Sequence, residues 1–226
     1  MGESTMDKNQ QAISLMKENK YQEAAALFNE VIEQNPGDPT GYINFGNLLL
    51  QLNETERAKR FFEKAIDLDE NAATAYYALG NLYFDKELFS NAQQYFKQAI
   101  ENGLEESDAY FMLGMSFKND EQIKFSLPYL LRATELSNND ETILFQYGLA
   151  LAQLEYLEEA EKTFHQVLKL NEDHSDAYYN LGVISLFHDN ADEAMSYFEQ
   201  ALEIQPDHVL AANGKKTVLA FLEDQE

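Results

Sequence analysis

Apolar residues along this chain recur with a helical period inside a longer one. Gly46, Gly80, Gly114, Gly148 and Gly182 stand 34 residues apart without a break. Three further series keep step with them. They are Ala58, Ala92, Ser126, Ala160 and Ala194; Phe62, Phe96, Leu130, Phe164 and Phe198; and Ala65, Ala99, Ala133, Val167 and Ala201. A weaker copy precedes them, with Ala12, Ala24, Phe28 and Val31, then Pro36. Self-similarity at such a period marks a repeat array. It divides the chain into units 5–38, 39–72, 73–106, 107–140, 141–174 and 175–208.

Each unit reads as two helices. Numbering the first residue of a unit as 1, positions 4, 7, 8 and 11 share one face at 3.6 residues per turn. In the third unit these are Tyr76, Leu79, Gly80 and Tyr83. Glycine costs ~1 kcal/mol against alanine inside a helix. A glycine repeated at one phase therefore implies close approach of a neighbouring helix, with no side chain between the backbones. In the second half-unit, "RAKRFFEKAIDLDE" puts Ala58, Phe61, Phe62, Ala65 and Ile66 on one stripe and its charges outside it.

Turn signals separate the units at "NPGDPT", "SNNDET", "NEDHSD" and "QPDH". Thr40, Thr74, Asp108 and Asp176 stand where a side-chain oxygen could cap the first helices. Pro128 predicts a late start or a kink in the second helix of the fourth unit, which Ser126 and Leu130 also weaken. Residues 209–222 read as a capping helix: Leu210, Val218 and Leu222 cover the last unit, and Lys215 and Lys216 face water.

Tyr76-x2-Leu79-Gly80-x2-Tyr83 followed by Ala92-x3-Phe96 resembles the tetratricopeptide repeat pattern. So do Tyr178-x2-Leu181-Gly182 and Ala194-x3-Phe198, ending at Pro206. The departures are local. Tyr, Leu or Lys stands for the usual Trp, and the first and fourth units are degenerate. The whole is similar to the small cytoplasmic repeat proteins of Gram-positive bacteria. The resemblance implies an all-α fold, a right-handed superhelical α-solenoid of six helix-turn-helix units with a C-terminal capping helix, forming a single domain over 1–226. It also implies an inner groove, lined by first helices, where partner segments bind.

Composition narrows the partners. The chain carries 16 Lys+Arg against 40 Asp+Glu, a formal net charge of −24, and no cysteine. Residues 101–226 hold 25 acidic and 7 basic groups. Such a surface repels phosphate backbones and anionic membranes and steers basic segments toward itself. Disulfides, thiolate metal sites and cysteine catalysis are excluded. "MGESTMDKNQQ" lacks a basic stretch followed by an apolar run, and no apolar run is long enough for a membrane span. A soluble cytoplasmic protein is expected.

No catalytic constellation stands out. His165, His174, His188 and His208 form no HExxH, and GxGxxG, GxxxxGK[ST] and GxSxG are absent. The acidic neighbours of His174 could attract a cation, but a solvated turn explains them. A non-enzyme without cofactor or metal is expected.

Specificity should lie opposite the stacking face, at positions 2, 6, 9 and 13 of each first helix. From the second unit to the sixth these rows contain no Lys or Arg. By resemblance, that excludes the basic clamp with which chaperone-docking relatives hold a C-terminal carboxylate. Asn44, Asn47, Asn81, Gln146 and Asn180 offer amides that can pair with a peptide backbone. Met112, Met115, Leu149, Val183 and Phe187 form an apolar zone, and methionine suits adaptable surfaces. On the groove's shoulder, Tyr77 and Phe84, with Ile43, Leu50, Phe111, Phe145 and Tyr179, either line the groove or seal neighbouring units. The expected function is an adaptor that binds a protein or peptide segment in its groove. The alternative is a scaffold that self-associates through the groove or an end surface. A shape-switching peptide sensor has no support.

Overall fold

The computed structural model describes residues 7–223, and every regular element among them is an α-helix. The helices pair within the predicted units. α1 (Lys8–Lys17) precedes α2 (Tyr21–Gln34), and α3 (Pro39–Gln51) precedes α4 (Thr55–Leu68). Then come α5 (Ala73–Asp85) with α6 (Phe89–Glu101), and α7 (Ser107–Asn119) with α8 (Ile123–Leu136). α9 (Glu141–Gln153) with α10 (Leu157–Leu170), α11 (Ser175–Phe187) with α12 (Ala191–Ile204), and the single α13 (Val209–Glu223) complete the chain. Two compact units meet in sequence between Asp120 and Glu121, inside the turn of the fourth repeat. The first holds α1 to α7 and the second α8 to α13.

Each turn between paired helices is built alike. Asn19, Asn53, Glu87, Glu121, Glu155 and Asp189 recur 34 apart, and all adopt φ between 57° and 62°. Around Asn53, the Glu54 N–H donates to the Leu49 carbonyl (2.8 Å) and the Asn53 N–H to that of Leu50 (2.9 Å). Leu88 with Tyr83 and Tyr156 with Leu151 repeat the bond of Glu54 to Leu49. These pairs satisfy the free carbonyls at a helix end. None of the six residues is glycine, so the turn carries no obvious mark in the sequence.

The repeated alanines and phenylalanines make the core. Ala24, Ala58, Ala92, Ala160 and Ala194 are fully buried, as are Phe28, Phe62, Phe96, Phe164 and Phe198. The repeated glycines serve them in a way that differs from the expected bare contact of two backbones. A Cβ placed on Gly80 would stand 2.6 Å from Phe96 Cδ1, and one on Gly182 would stand 2.6 Å from Phe198 Cε1. The glycine thus makes room for the phenyl ring of its own repeat's second helix.

Three local expectations are corrected. None of the four predicted caps holds. Asp38 in place of Thr40 caps α3, accepting from the Thr40 N–H (2.9 Å), and His174 in place of Asp176 caps α11. Ala72 and Glu106, which precede Thr74 and Asp108, give α5 and α7 no side-chain cap. Asp140 caps α9, accepting from the N–H groups of Thr142 (3.0 Å) and Ile143 (3.1 Å). Pro39 at the first helical position of α3 fixes that boundary. α8 starts on time and runs 14 residues, as α4 and α10 do, with exposed Pro128 inside it. A single missing amide does not end a helix held by its packed face. In α13, Leu210 is 55% exposed, and fully buried Ala211 takes the covering role with Val218. Lys215 pairs with Glu199 (2.8 Å).

In the first compact unit the first helices touch in succession, α1 with α3, α3 with α5 and α5 with α7. In the second, α11 touches α13. Side chains on these faces are thereby set side by side.

Candidate partner-binding surface

The predicted rows show a regular gradient of exposure. Positions 2 and 13, such as Thr40, Gln51, Thr142 and Gln153, are exposed, whereas positions 6 and 9 are mostly half-buried. Residues at the middle of the first helices face their neighbours as well as solvent.

In the first compact unit, Asn44 donates its amide to Asn9 Oδ1 at 3.0 Å, tying α3 to α1. Asn47 is exposed. Asn81 stands one helical turn from Tyr77. Burial pushes the Tyr77 phenol above its ordinary range; the nearby Asn81 amide opposes this, and Asp108 and Glu106 raise it further. Phe84 meets Phe89 edge-on at 5.4 Å, which draws it toward the start of α6. Met112 and Met115 on α7 are half-buried. Ala78, in the same rows, is only 7% exposed and belongs to the core.

In the second compact unit, Gln146 and Leu149 are half-buried on α9, and Leu149 packs on the cluster around Phe164. Asn180 donates to the Asp176 carbonyl of its own helix at 2.7 Å. Val183 packs on the buried cluster around Phe198, while Phe187 is 65% exposed. Asn44 and Asn180 are therefore already engaged within the chain. A peptide backbone would exchange for those bonds rather than find them open.

The shoulder rings lean inward. Tyr77 lies 5.5 Å from Phe96, Phe145 5.8 Å from Phe164, and Tyr179 5.9 Å from Phe198. Each covers the buried phenylalanine of its own repeat.

Two histidines have roles that their sequence context did not indicate. His174 Nδ1 accepts the Ala177 N–H at 3.2 Å and caps α11, with its ring 4.5 Å from Phe145. His208, 6% exposed, accepts the Ala211 N–H at Nδ1 (3.1 Å) and reaches Asp176 Oδ1 through Nε2 (3.0 Å). A detectable signal existed: both stand in register with the capping Asp38 and Asp140. No group of three or more His, Cys, Asp or Glu suited to a metal ion occurs among the described residues.

Comparison with known proteins places these features. Residues 15–63, 73–102 and 145–209 match the tetratricopeptide repeat, and residues 46–86 match the TPR repeat. The chain belongs to the tetratricopeptide repeat family. It is similar to YrrB, described as a TPR protein with an unusual peptide-binding site, at 44% identity. That match covers 84% of this chain and 97% of YrrB, with a TM-score of 0.81. MamA shares the fold at 22% identity, with 74% of this chain and 92% of MamA covered and a TM-score of 0.69. PilF of Pseudomonas aeruginosa shares it at 14% identity, with 93% and 96% covered and a TM-score of 0.75. No match is found among curated proteins. No described helix is long and apolar enough to cross a membrane.

Proposed function

We propose that this chain is a cytoplasmic adaptor whose six repeats, acting as a single array over residues 1–226, bind an extended segment of another protein along the first-helix faces. The repeat is a protein-interaction fold, and the peptide-binding site described for YrrB supports peptide as the ligand class. The observation that carries the reading is the composition of the rows themselves: no Lys or Arg from the second repeat to the sixth, and large apolar side chains left partly open. Met112, Met115, Leu149 and Val183 are half-buried, and Phe187 is 65% exposed. Apolar anchoring by these residues combines with amides such as Asn47, while the net charge of −24 favours a basic partner segment and disfavours nucleic acid. Recovery of partners on immobilised protein should fall sharply in a folded Met115→Asp/Leu149→Asp variant. Unchanged recovery would sink this use of the groove.

Self-association is a second reading, favoured by α13. Its outer side leaves Val209 69%, Leu210 55% and Leu219 45% exposed. Sedimentation at micromolar concentration should then show dimers that Leu210→Asp/Leu219→Asp dissolves; a strict monomer removes the reading.

A further inference from the structure

The fifth repeat lacks an aromatic pair found at the same positions in the second, third and sixth; the degenerate first repeat, with Lys8 and Leu27 there, lacks it too. Tyr42 and Phe61 lie 6.1 Å apart, Tyr76 and Tyr95 6.5 Å, and Tyr178 and Tyr197 6.4 Å. The corresponding residues of the fifth repeat are Leu144 and Thr163. A third position shrinks beside them: Thr134 stands where other repeats have Ile66, Ile100, Leu168 and Leu202.

These three departures border two adjoining hollows of about 390 and 350 Å³ among α8, α9 and α10, which share Thr134, Leu144 and Gln166. The Thr134 hydroxyl donates to the Leu131 carbonyl (2.7 Å) and that of Thr163 to Glu159 (2.7 Å). Both hydroxyls are thus satisfied on their own helices. Tyr147 walls one side, and Leu131 and Leu170, 42% and 43% exposed, stand at the rim.

The walls differ in charge. Lys162, Gln166 and Lys169 follow an i, i+4, i+7 spacing, which puts them along one side of α10. Neither lysine has an ion pair among the described residues. Of the two glutamates at the cleft, Glu135 is held by Arg132 at 2.8 Å and Glu159 is not. Two unpaired cations against one unpaired anion is an unusual balance on a chain of net charge −24.

We propose that this cleft is a binding site separate from the groove, and that it takes an aromatic side chain of a partner segment with acidic residues beside it. The ring occupies the place of the missing aromatic pair, against Leu144 and between the rim leucines. The neighbouring carboxylates meet Lys162 and Lys169. Aromatic rings are well suited to such a place because they bury a large area at little conformational cost.

The test is fluorescence anisotropy with a labelled peptide carrying one tyrosine flanked by aspartates. Saturable binding is expected, at least tenfold weaker when the tyrosine is replaced by alanine. Leu144→Tyr/Thr163→Tyr restores the pair found in other repeats and should block binding at least tenfold while keeping the thermal midpoint. Lys162→Glu/Lys169→Glu should weaken it comparably, and it decides the matter if the refilled protein does not fold. Failure of the wild-type protein to saturate, or undiminished affinity in either folded variant, overturns the proposal. Met115→Asp should leave this binding intact, which separates the cleft from the groove.

Discussion

The Phe96 ring covers Gly80 so closely that a Cβ on the glycine would stand 2.6 Å from both Cδ1 and Cε1. Gly46, Gly148 and Gly182 meet Phe62, Phe164 and Phe198 in the same way, and Gly214 of α13 meets Phe198 at 2.7 Å. The most regular feature of the sequence is thus a seat for a ring.

Gly80→Ala should therefore destabilise the chain, although alanine is the better helix former. Overpacking costs about 1–3 kcal/mol, against a propensity gain of ~1 kcal/mol. Urea unfolding should show a net loss of up to about 2 kcal/mol. In a Phe96→Leu background the same alanine should cost much less, because the ring that it meets is gone; equal cost in both backgrounds would refute the seat.

The helix-to-helix turn makes the opposite prediction. Glu87 and Glu155 hold φ of 58° and 62°. A side chain in this region costs ~1–2 kcal/mol, and glycine avoids that at an entropic cost of about 0.5–1 kcal/mol. Glu87→Gly and Glu155→Gly should each raise the thermal midpoint slightly. A lowered midpoint in both would mean that the glutamate side chains make compensating contacts.

What the sequence revealed follows from where the repeat is chemically strict. Phe62, Phe96, Phe164 and Phe198 sit at one phase because that place takes a large, fully buried apolar side chain, which Leu130 supplies in the fourth repeat, so the period, the helix pairs and the core could be read directly. The left-handed turn could not: asparagine, glutamate and aspartate share it, and each is also an ordinary surface residue. The break between Asp120 and Glu121 has no composition of its own. On the first-helix faces, Phe187 and Asn47 are exposed. Asn44 and Asn180 instead bond within the chain, a matter of side-chain geometry that spacing does not specify. The fifth-repeat cleft was visible in principle, since Leu144, Thr163 and Thr134 each break a column.

Alkaline pH should loosen both compact units. Burial is the first cause that raises the phenols of Tyr77, Tyr95, Tyr147 and Tyr197 above their ordinary value. The folded state therefore favours the neutral form. The linked stability is fully present below the ordinary phenol pKa of about 10 and is lost as pH rises through the folded values. Phenolate absorbance should rise later in the native chain than in urea, with stability falling over the same range. Coincident titration curves would show that these rings are solvated.

His208 offers the sharpest test of how α13 is held. Its Nδ1 accepts the Ala211 N–H, so that nitrogen carries no proton, and Nε2 is the atom facing Asp176. The ring also lies 5.4 Å from Tyr179, so one side chain caps α13 and joins it to α11. His208→Ala removes all three contacts, and losing a cap alone costs ~0.5–2 kcal/mol. Asparagine keeps the cap and loses the reach to Asp176 and the ring contact. Hydrogen exchange at Ala211 and Ala212 should therefore accelerate strongly in His208→Ala and only modestly in His208→Asn. Exchange in Phe28's repeat should not change, because α1 and α2 belong to the other compact unit. Equal acceleration in both variants would assign the holding force to Asp176 and the ring rather than to the cap.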